Sequence, residues 1–325
     1  MAQPFSTVAV IGAGYMGTGI AQSLALCGID VRVCDATLEV AEAGVARILT
    51  DLTADVEAGR APAGTVEDAG AHLSAVGDLA AAVAGADYVQ EVVTESLDVK
   101  RVVLAQISAA APETAVIASN TSTIPLNRMV GAVANPERFL IVHWSNPAHS
   151  IPGVEIVVGP DTSPAVVESV NAMLAVAGRV GAVVGDVPGF VLNRLQYALV
   201  REALLVVEEG VATPEAVDTL MRTILGFRMP FVPPLTMLDM AGLDVYVSGF
   251  GIMEEAFGER LSAPQVLKDA VADGRHGMKN GRGLWRDYPP EAVAEIVEWR
   301  GRAYARMKEV VDELGPTPLP EGSAS

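Results

Sequence analysis

Apolar positions along the chain follow two periods in turn. Residues 7–11 are a short run of small and β-branched side chains, which predicts a strand. A glycine-rich turn follows, then an apolar stretch with helical spacing over 16–27. Residues 30–34 repeat the strand pattern up to Asp35, and 38–52 return to the helical period, completing a β-α-β unit. The alternation continues with strands at 88–92, 115–118, 139–143, 154–158 and 180–184 and helices at 97–110 and 164–177. Strands alternating with helices in this way predict an α/β fold built on a doubly wound, mostly parallel sheet.

After residue 186 the strand period stops. The later apolar segments, 190–210, 214–225, 234–257 and 290–314, all have helical spacing, with Gly210 closing the first and Thr213-Pro214 opening the second. The chain is expected to divide into an alternating domain over 1–186, an all-α domain over 187–314 and a Pro/Gly/Ser-rich disordered tail over 315–325. There is no internal repeat.

Gly12-Ala13-Gly14-Tyr15-Met16-Gly17 lies directly between the first strand and the first helix. Glycines there permit a tight turn, close approach of backbone to a pyrophosphate and close packing of helix on strand, while the helix N-terminus offers free N–H groups to phosphate. Asp35 ends the second strand, where a carboxylate can accept from an adenosine ribose and repel a 2′-phosphate. No Arg or Lys follows it within ten residues, so a Rossmann-type domain that prefers NAD over NADP is expected.

Charge and cysteine usage narrow the alternatives. A net charge of −18 argues against nucleic acid and anionic membranes as partners. No apolar run approaches the ~18 residues that a membrane span needs. Cys27 and Cys34 are expected to be reduced core thiols, and no Cys/His cluster has metal-ligand spacing. The N-terminus lacks a basic segment followed by an apolar one, so a cytoplasmic protein is expected.

His143 stands at the end of a strand, where open α/β sheets present their ligand crevice. Twelve residues on, Glu155 lies within the apolar strand segment Gly153-Val154-Glu155-Ile156-Val157-Val158. A buried carboxylate needs a partner, and His143 is the natural one. Such a pair orients the imidazole, fixes its tautomer and stabilises its protonated form, as a general base in alcohol oxidation requires. A purely structural His/Glu hydrogen bond is the alternative.

Six blocks carry a resemblance over nearly the whole chain: Val10-Ile-Gly-Ala-Gly-Tyr-Met-Gly-Thr-Gly-Ile-Ala21, Ala118-Ser-Asn-Thr-Ser122, His143-Trp-Ser-Asn-Pro147 with Glu155, Val187-Pro-Gly-Phe-Val-Leu-Asn-Arg194, Leu238-Asp-Met-Ala-Gly-Leu-Asp244 and Gly277-Met-Lys-Asn-Gly-Arg-Gly-Leu-Trp285. In them the sequence resembles the 3-hydroxyacyl-CoA dehydrogenase family. The resemblance implies an NAD-dependent oxidoreductase of fatty acid or hydroxy acid metabolism, with His143 as acid/base, Glu155 as its partner, and Ser122 and Asn193 as hydrogen-bond donors to the reacting oxygen. It implies cofactor contacts from Gly12, Gly14, Tyr15, Met16, Gly17, Asp35, Glu95, Lys100, Asn120 and Asn146. A site assembled at an interdomain cleft and a homodimer formed through the helical domain are also implied, the apolar helix over 234–257 being either the dimer surface or an internal core helix.

Two features depart from the family pattern. Residues 36–78, where cationic contacts to CoA are expected, hold eight carboxylates, only Arg47 and Arg60 as cations, and no lysine. The His143-Trp-Ser-Asn-Pro segment is similar to that of members acting on free hydroxy acids or related alcohols, such as the carnitine, gulonate and pyridine-carboxylate dehydrogenases. Three readings follow: oxidation of a 3-hydroxyacyl-CoA, the same chemistry on a substrate without CoA, or a non-catalytic protein on this fold. Within residues 275–283, Lys279 and Arg282 either are solvated and ion-paired around a structural turn or bind a substrate carboxylate.

Overall fold

The computed structural model describes residues 4–318, so most of the tail expected over 315–325 lies outside the described residues. The chain divides into two compact units, one ending at Arg201 and the other beginning at Glu202.

The first unit is built on one eight-stranded sheet in the order β3-β2-β1-β4-β5-β6-β7-β8. Its strands are β1 Thr7–Ile11, β2 Asp30–Cys34, β3 Leu73–Val76, β4 Tyr88–Glu91, β5 Val116–Ser119, β6 Phe139–Trp144, β7 Gly153–Val158 and β8 Val180–Gly185. Every pairing is parallel except β6 with β7. The helices are α1 Tyr15–Ala25, α2 Leu38–Glu57, α3 Thr65–Ala71, α4 Leu79–Val83, α5 Leu97–Ala110 and α6 Pro164–Val176. Side-chain alternation divides β1 between two cores. Val8 and Val10 pack with Ile20, Leu24 and Trp144 on one face, and Ala9 and Ile11 with Leu104, Ile107 and Phe139 on the other. Both faces are buried, as helices on both sides of a parallel sheet require.

α7 Leu192–Glu208 crosses the division between the units, and α8 Pro214–Leu220 passes into a π-helical segment at Met221–Leu225 where a continuous α-helix to 225 was predicted. In the second unit the single helix predicted over 234–257 is two, α9 Pro234–Ala241 and α10 Leu243–Phe257. The break is at Gly242, whose φ of 110° no helix contains. The segments Pro234–Ala241 and Leu243–Leu261 are bent by 103° there, and no single helix among the described residues is long and apolar enough to cross a membrane. α11 Gln265–Ala272 and α12 Pro290–Leu314 complete the unit. Asp239 is almost fully buried and accepts from Leu284 N at 2.7 Å and Tyr288 Oη at 2.8 Å, pinning the 277–288 turn to α9.

Candidate active site

The antiparallel register of β6 and β7 places His143 directly opposite Glu155. His143 Nδ1 lies 2.8 Å from Glu155 Oε2. A carboxylate only accepts, so the Nδ1 proton points to Glu155, and in the neutral ring it is Nε2 that carries the lone pair. The other carboxylate oxygen, Oε1, accepts from Val191 N and Leu192 N, each at 2.9 Å, at the start of α7. Both oxygens are thus occupied, which compensates for burial of the charge. Phe190, at φ 49°, sets its ring edge-on to the imidazole with centroids 5.8 Å apart. A bulky side chain held in the left-handed region marks a position that the surrounding structure over-determines.

His143 lines a cavity of about 700 Å³ together with Met16, Glu95, Ser122, Asn146 and Asn193. Glu95 is the hub of its serine/threonine wall. Its Oε1 accepts from Thr121 Oγ1 at 2.6 Å, Ser122 N at 2.9 Å, Thr123 N at 3.1 Å and, at 3.2 Å each, the hydroxyls of Ser122 and Thr123. Burial pushes the Glu95 carboxyl upward, but the Thr121 hydrogen bond, the charge of Lys100 and the two backbone donors outweigh it and hold the pKa low. Asn193 Nδ2 donates to the Ser122 carbonyl at 2.7 Å, fastening the start of α7 to the same wall. Asn120 Oδ1 accepts from Trp144 N at 2.8 Å and joins the ends of β5 and β6.

Lys100, expected as a cofactor contact, is 1% exposed. Its ammonium sits 2.9 Å from Glu91 Oε1, 3.2 Å from the Val93 carbonyl and 3.5 Å from Glu95 Oε2. In this arrangement the ammonium acts on the site through the two carboxylates. Glu91, itself 0% exposed, also accepts from Ser119 Oγ at 2.5 Å.

The glycine turn forms as expected. A Cβ on Gly17 would fall 1.8 Å from the Gly12 carbonyl oxygen, whereas one on Gly14 would meet nothing within 4 Å. The middle of the turn is therefore open toward a ligand, and the N-terminus of α1 has no side-chain cap. Asp35 accepts from Ala13 N at 2.6 Å and from Ala36 N at 2.7 Å, locking the end of β2 to the turn. Gly12, Gly14, Asp35 and Asp78 line a second cavity of about 610 Å³. Val92 and Val93 line both cavities, so the one beside Asp35 and the one beside His143 are neighbours. Tyr15 stands exposed at the start of α1. Among the described residues no group of His, Cys, Asp and Glu could hold a metal ion.

Arg47, on α2, donates to the Ala13 carbonyl at 2.8 Å, and Arg60 binds Asp55 at 2.8 Å. In the second unit Lys279 Nζ reaches both Asp244 oxygens at 2.8 Å, and Arg282 binds Asp273 at 2.9 Å. Both second-unit cations therefore have acidic partners, as expected of a structural turn. Sequence reasoning did not single out Thr121, Thr123, Phe190 or Gln196. Only Gln196 had a legible signal, lying one helical turn from Asn193.

Residues 7–187 match the family model for the NAD binding domain of 3-hydroxyacyl-CoA dehydrogenase, and residues 189–287 match its C-terminal domain. The chain is 35% identical, over 94% of its length and 98% of the relative's, to 5-formyl-3-hydroxy-2-methylpyridine 4-carboxylate 5-dehydrogenase of Mesorhizobium japonicum. It is 34% identical, over 86% of its length and 96% of the relative's, to a probable 3-hydroxybutyryl-CoA dehydrogenase of Bacillus subtilis. A solved 3-hydroxyacyl-CoA dehydrogenase from Archaeoglobus fulgidus superimposes with a TM-score of 0.77 at 32% identity, covering 95% of this chain and 99% of that one. With both domain models matched in order over this length, the chain belongs to the 3-hydroxyacyl-CoA dehydrogenase family, and its first domain is an NAD-binding domain.

Proposed function

We propose that this protein is an NAD-dependent oxidoreductase that reversibly oxidises a secondary 3-hydroxy group to a ketone, with His143 as the acid/base and Glu155 as its orienting partner. The observation that carries this reading is the 2.8 Å contact between His143 Nδ1 and Glu155, made in the wall of a cavity that Ser122 and Asn193 also line.

The residues present fit the cofactor. The open face at Gly14, the uncapped helix N-terminus and Asp35 suit a pyrophosphate and an unphosphorylated ribose, while Met16, Asn120, Glu95 and Asn146 stand nearer the imidazole. Bound NAD supplies the acceptor for the hydride of the carbinol carbon. His143 Nε2 removes the hydroxyl proton, and Glu155 stabilises the imidazolium so formed. In the reverse direction the imidazolium returns that proton. The second N–H of Asn193 Nδ2 offers a neutral hydrogen bond to the substrate oxygen as its charge changes, and Ser122 Oγ, whose proton points to Glu95 in the free site, does the same once that proton turns to the substrate.

A 3-hydroxyacyl group carried on CoA is the substrate the family implies. A free hydroxy acid, or a related alcohol without CoA, is the second reading, and one observation favours it. Arg47 and Arg60, the only cations in residues 36–78, already bind the glycine turn and Asp55. Neither stands free for CoA phosphates, and eight carboxylates surround them in sequence. NADH absorbance with a panel of 3-hydroxyacyl-CoA and free hydroxy acid substrates separates the two readings, and no turnover of either class would refute the proposal. The same reading includes a homodimer formed through the helical unit and a cytoplasmic location.

A further inference from the structure

The wall of the catalytic cavity contributed by α7 holds a second amide besides Asn193. Gln196 lies three residues on, so it falls on the same helical face, about 4.5 Å farther along the axis at ~1.5 Å of rise per residue. Both residues line the cavity. The Asn193 amide is already bound to the Ser122 carbonyl. Gln196 is exposed, and among the described residues its side chain has no hydrogen-bond partner. The residues around the cavity include no lysine or arginine; besides Gln196, its amide and hydroxyl side chains are Asn120, Ser122, Ser145, Asn146 and Asn193, of which Ser122 and Asn193 are the pair assigned above to the reacting oxygen. Ser145 and Asn146 follow His143 on the adjoining loop.

We propose that Gln196 is a specificity-determining residue whose side-chain amide donates to the carboxyl or thioester carbonyl oxygen of a 3-hydroxyacyl group, while Ser122, His143 and Asn193 hold its 3-hydroxyl. This rests on the reading of the site as a 3-hydroxy dehydrogenase. In such a group the two oxygens are borne by carbons two bonds apart, a spacing that two amides one helical turn apart can bridge. A neutral donor can serve either a free carboxylate or a thioester. The charge around it would distinguish them, since Glu95 and Glu155 already place two carboxylates near the cavity.

The test compares Gln196→Leu and Gln196→Glu with the unmodified protein on a free 3-hydroxy acid and on its CoA thioester, recording KM, kcat, the NADH dissociation constant and Tm. Gln196→Leu is expected to raise KM about tenfold for whichever substrate the protein uses, the loss of one hydrogen bond, with NADH affinity and Tm unchanged. Gln196→Glu abolishes use of a free acid through like-charge repulsion but only weakens use of a thioester, so the pair of variants identifies the group being read. An unchanged KM in Gln196→Leu overturns the proposal, as does a rise matched by an equal loss of NADH affinity. Failure of the underlying reading shows separately, as absence of turnover in the unmodified protein on both substrates.

Discussion

An imidazole tied through one nitrogen keeps only the other for chemistry, and the proposed role of His143 depends on that asymmetry. Replacing His143 with Gln is expected to lower turnover by ~10²–10⁴, the usual contribution of a general base, while leaving NADH affinity nearly intact. Steady-state rates beside a fluorescence titration check this, and ordinary turnover would remove His143 from the mechanism. Glu155→Gln should be milder and should alter the pH profile of kcat, because it withdraws negative charge from the imidazole while its amide can still accept from Nδ1. Asp35 is the other residue with two duties. Its carboxylate holds the backbone N–H groups of Ala13 and Ala36 besides facing the cofactor cavity. Asp35→Ala is therefore expected to narrow the preference for NAD over NADP and also to weaken NAD binding, because the turn loses its anchor. Kinetics with both cofactors test it, and an unmodified protein that uses both equally would refute the role of Asp35.

At the scale of elements, the serine/threonine wall depends on a layered arrangement of buried charge: Lys100 from α5, Glu91 at the end of β4, and Glu95 just after it. Lys100→Met leaves the Glu91 carboxylate enclosed without its counter-ion, a change that typically costs about 3–5 kcal/mol. Denaturant unfolding should register that loss, and the double variant Lys100→Met/Glu91→Gln should recover part of it. Full stability in the single variant would mean that the pair contributes nothing. Glu95 adds a pH dependence of known sign. Its hydrogen bonds and Lys100 hold its folded pKa below the ordinary 4.5, so its contribution to stability is complete above 4.5 and is lost as pH falls through the folded value. Glu95→Gln should accordingly flatten the acid limb of Tm against pH, and an unaltered limb would exclude Glu95 as a source of acid sensitivity. Strong periodicity made β1, β2, α1 and α5 legible in the sequence. β3 was not, because Leu73–Val76 is a four-residue edge strand only partly buried, with no clean alternation to read. His143 and Glu155 could be paired from the cost of an unpartnered carboxylate, but the Glu95 hub could not. Five donors converging on one oxygen is a tertiary fact with no local pattern. The enclosure of Lys100 was illegible for a related reason, since burial of a lysine leaves no mark on the motif that contains it.

For the whole molecule, what matters is how little the second unit buries in a single copy of the chain. Among the described residues its apolar cluster has only Leu243, Leu267 and Ala270 buried, and none of the 25 residues of α12 is buried. α10 instead presents a groove of about 510 Å³ lined by Val245, Tyr246, Phe250, Ile252 and Met253, in which almost nothing is polar. The break at Gly242 sharpens the contrast, because it turns α10 out of the line of α9 and so fixes the apolar face as a separate surface. Contiguous apolar surface of this kind marks an association site, and a homodimer uses one patch twice through a two-fold axis. Light scattering at micromolar concentration is expected to give about twice 33.8 kDa. Ile252→Glu, at a position 70% exposed in the single chain, should cost the monomer fold little. In a dimer it would bury an unpaired carboxylate at the centre of the contact, weakening association by more than about 2 kcal/mol and giving a monomer at the same concentration. A monomeric mass for the unmodified protein would rule the dimer out, and a dimer undisturbed by Ile252→Glu would move the interface away from α10.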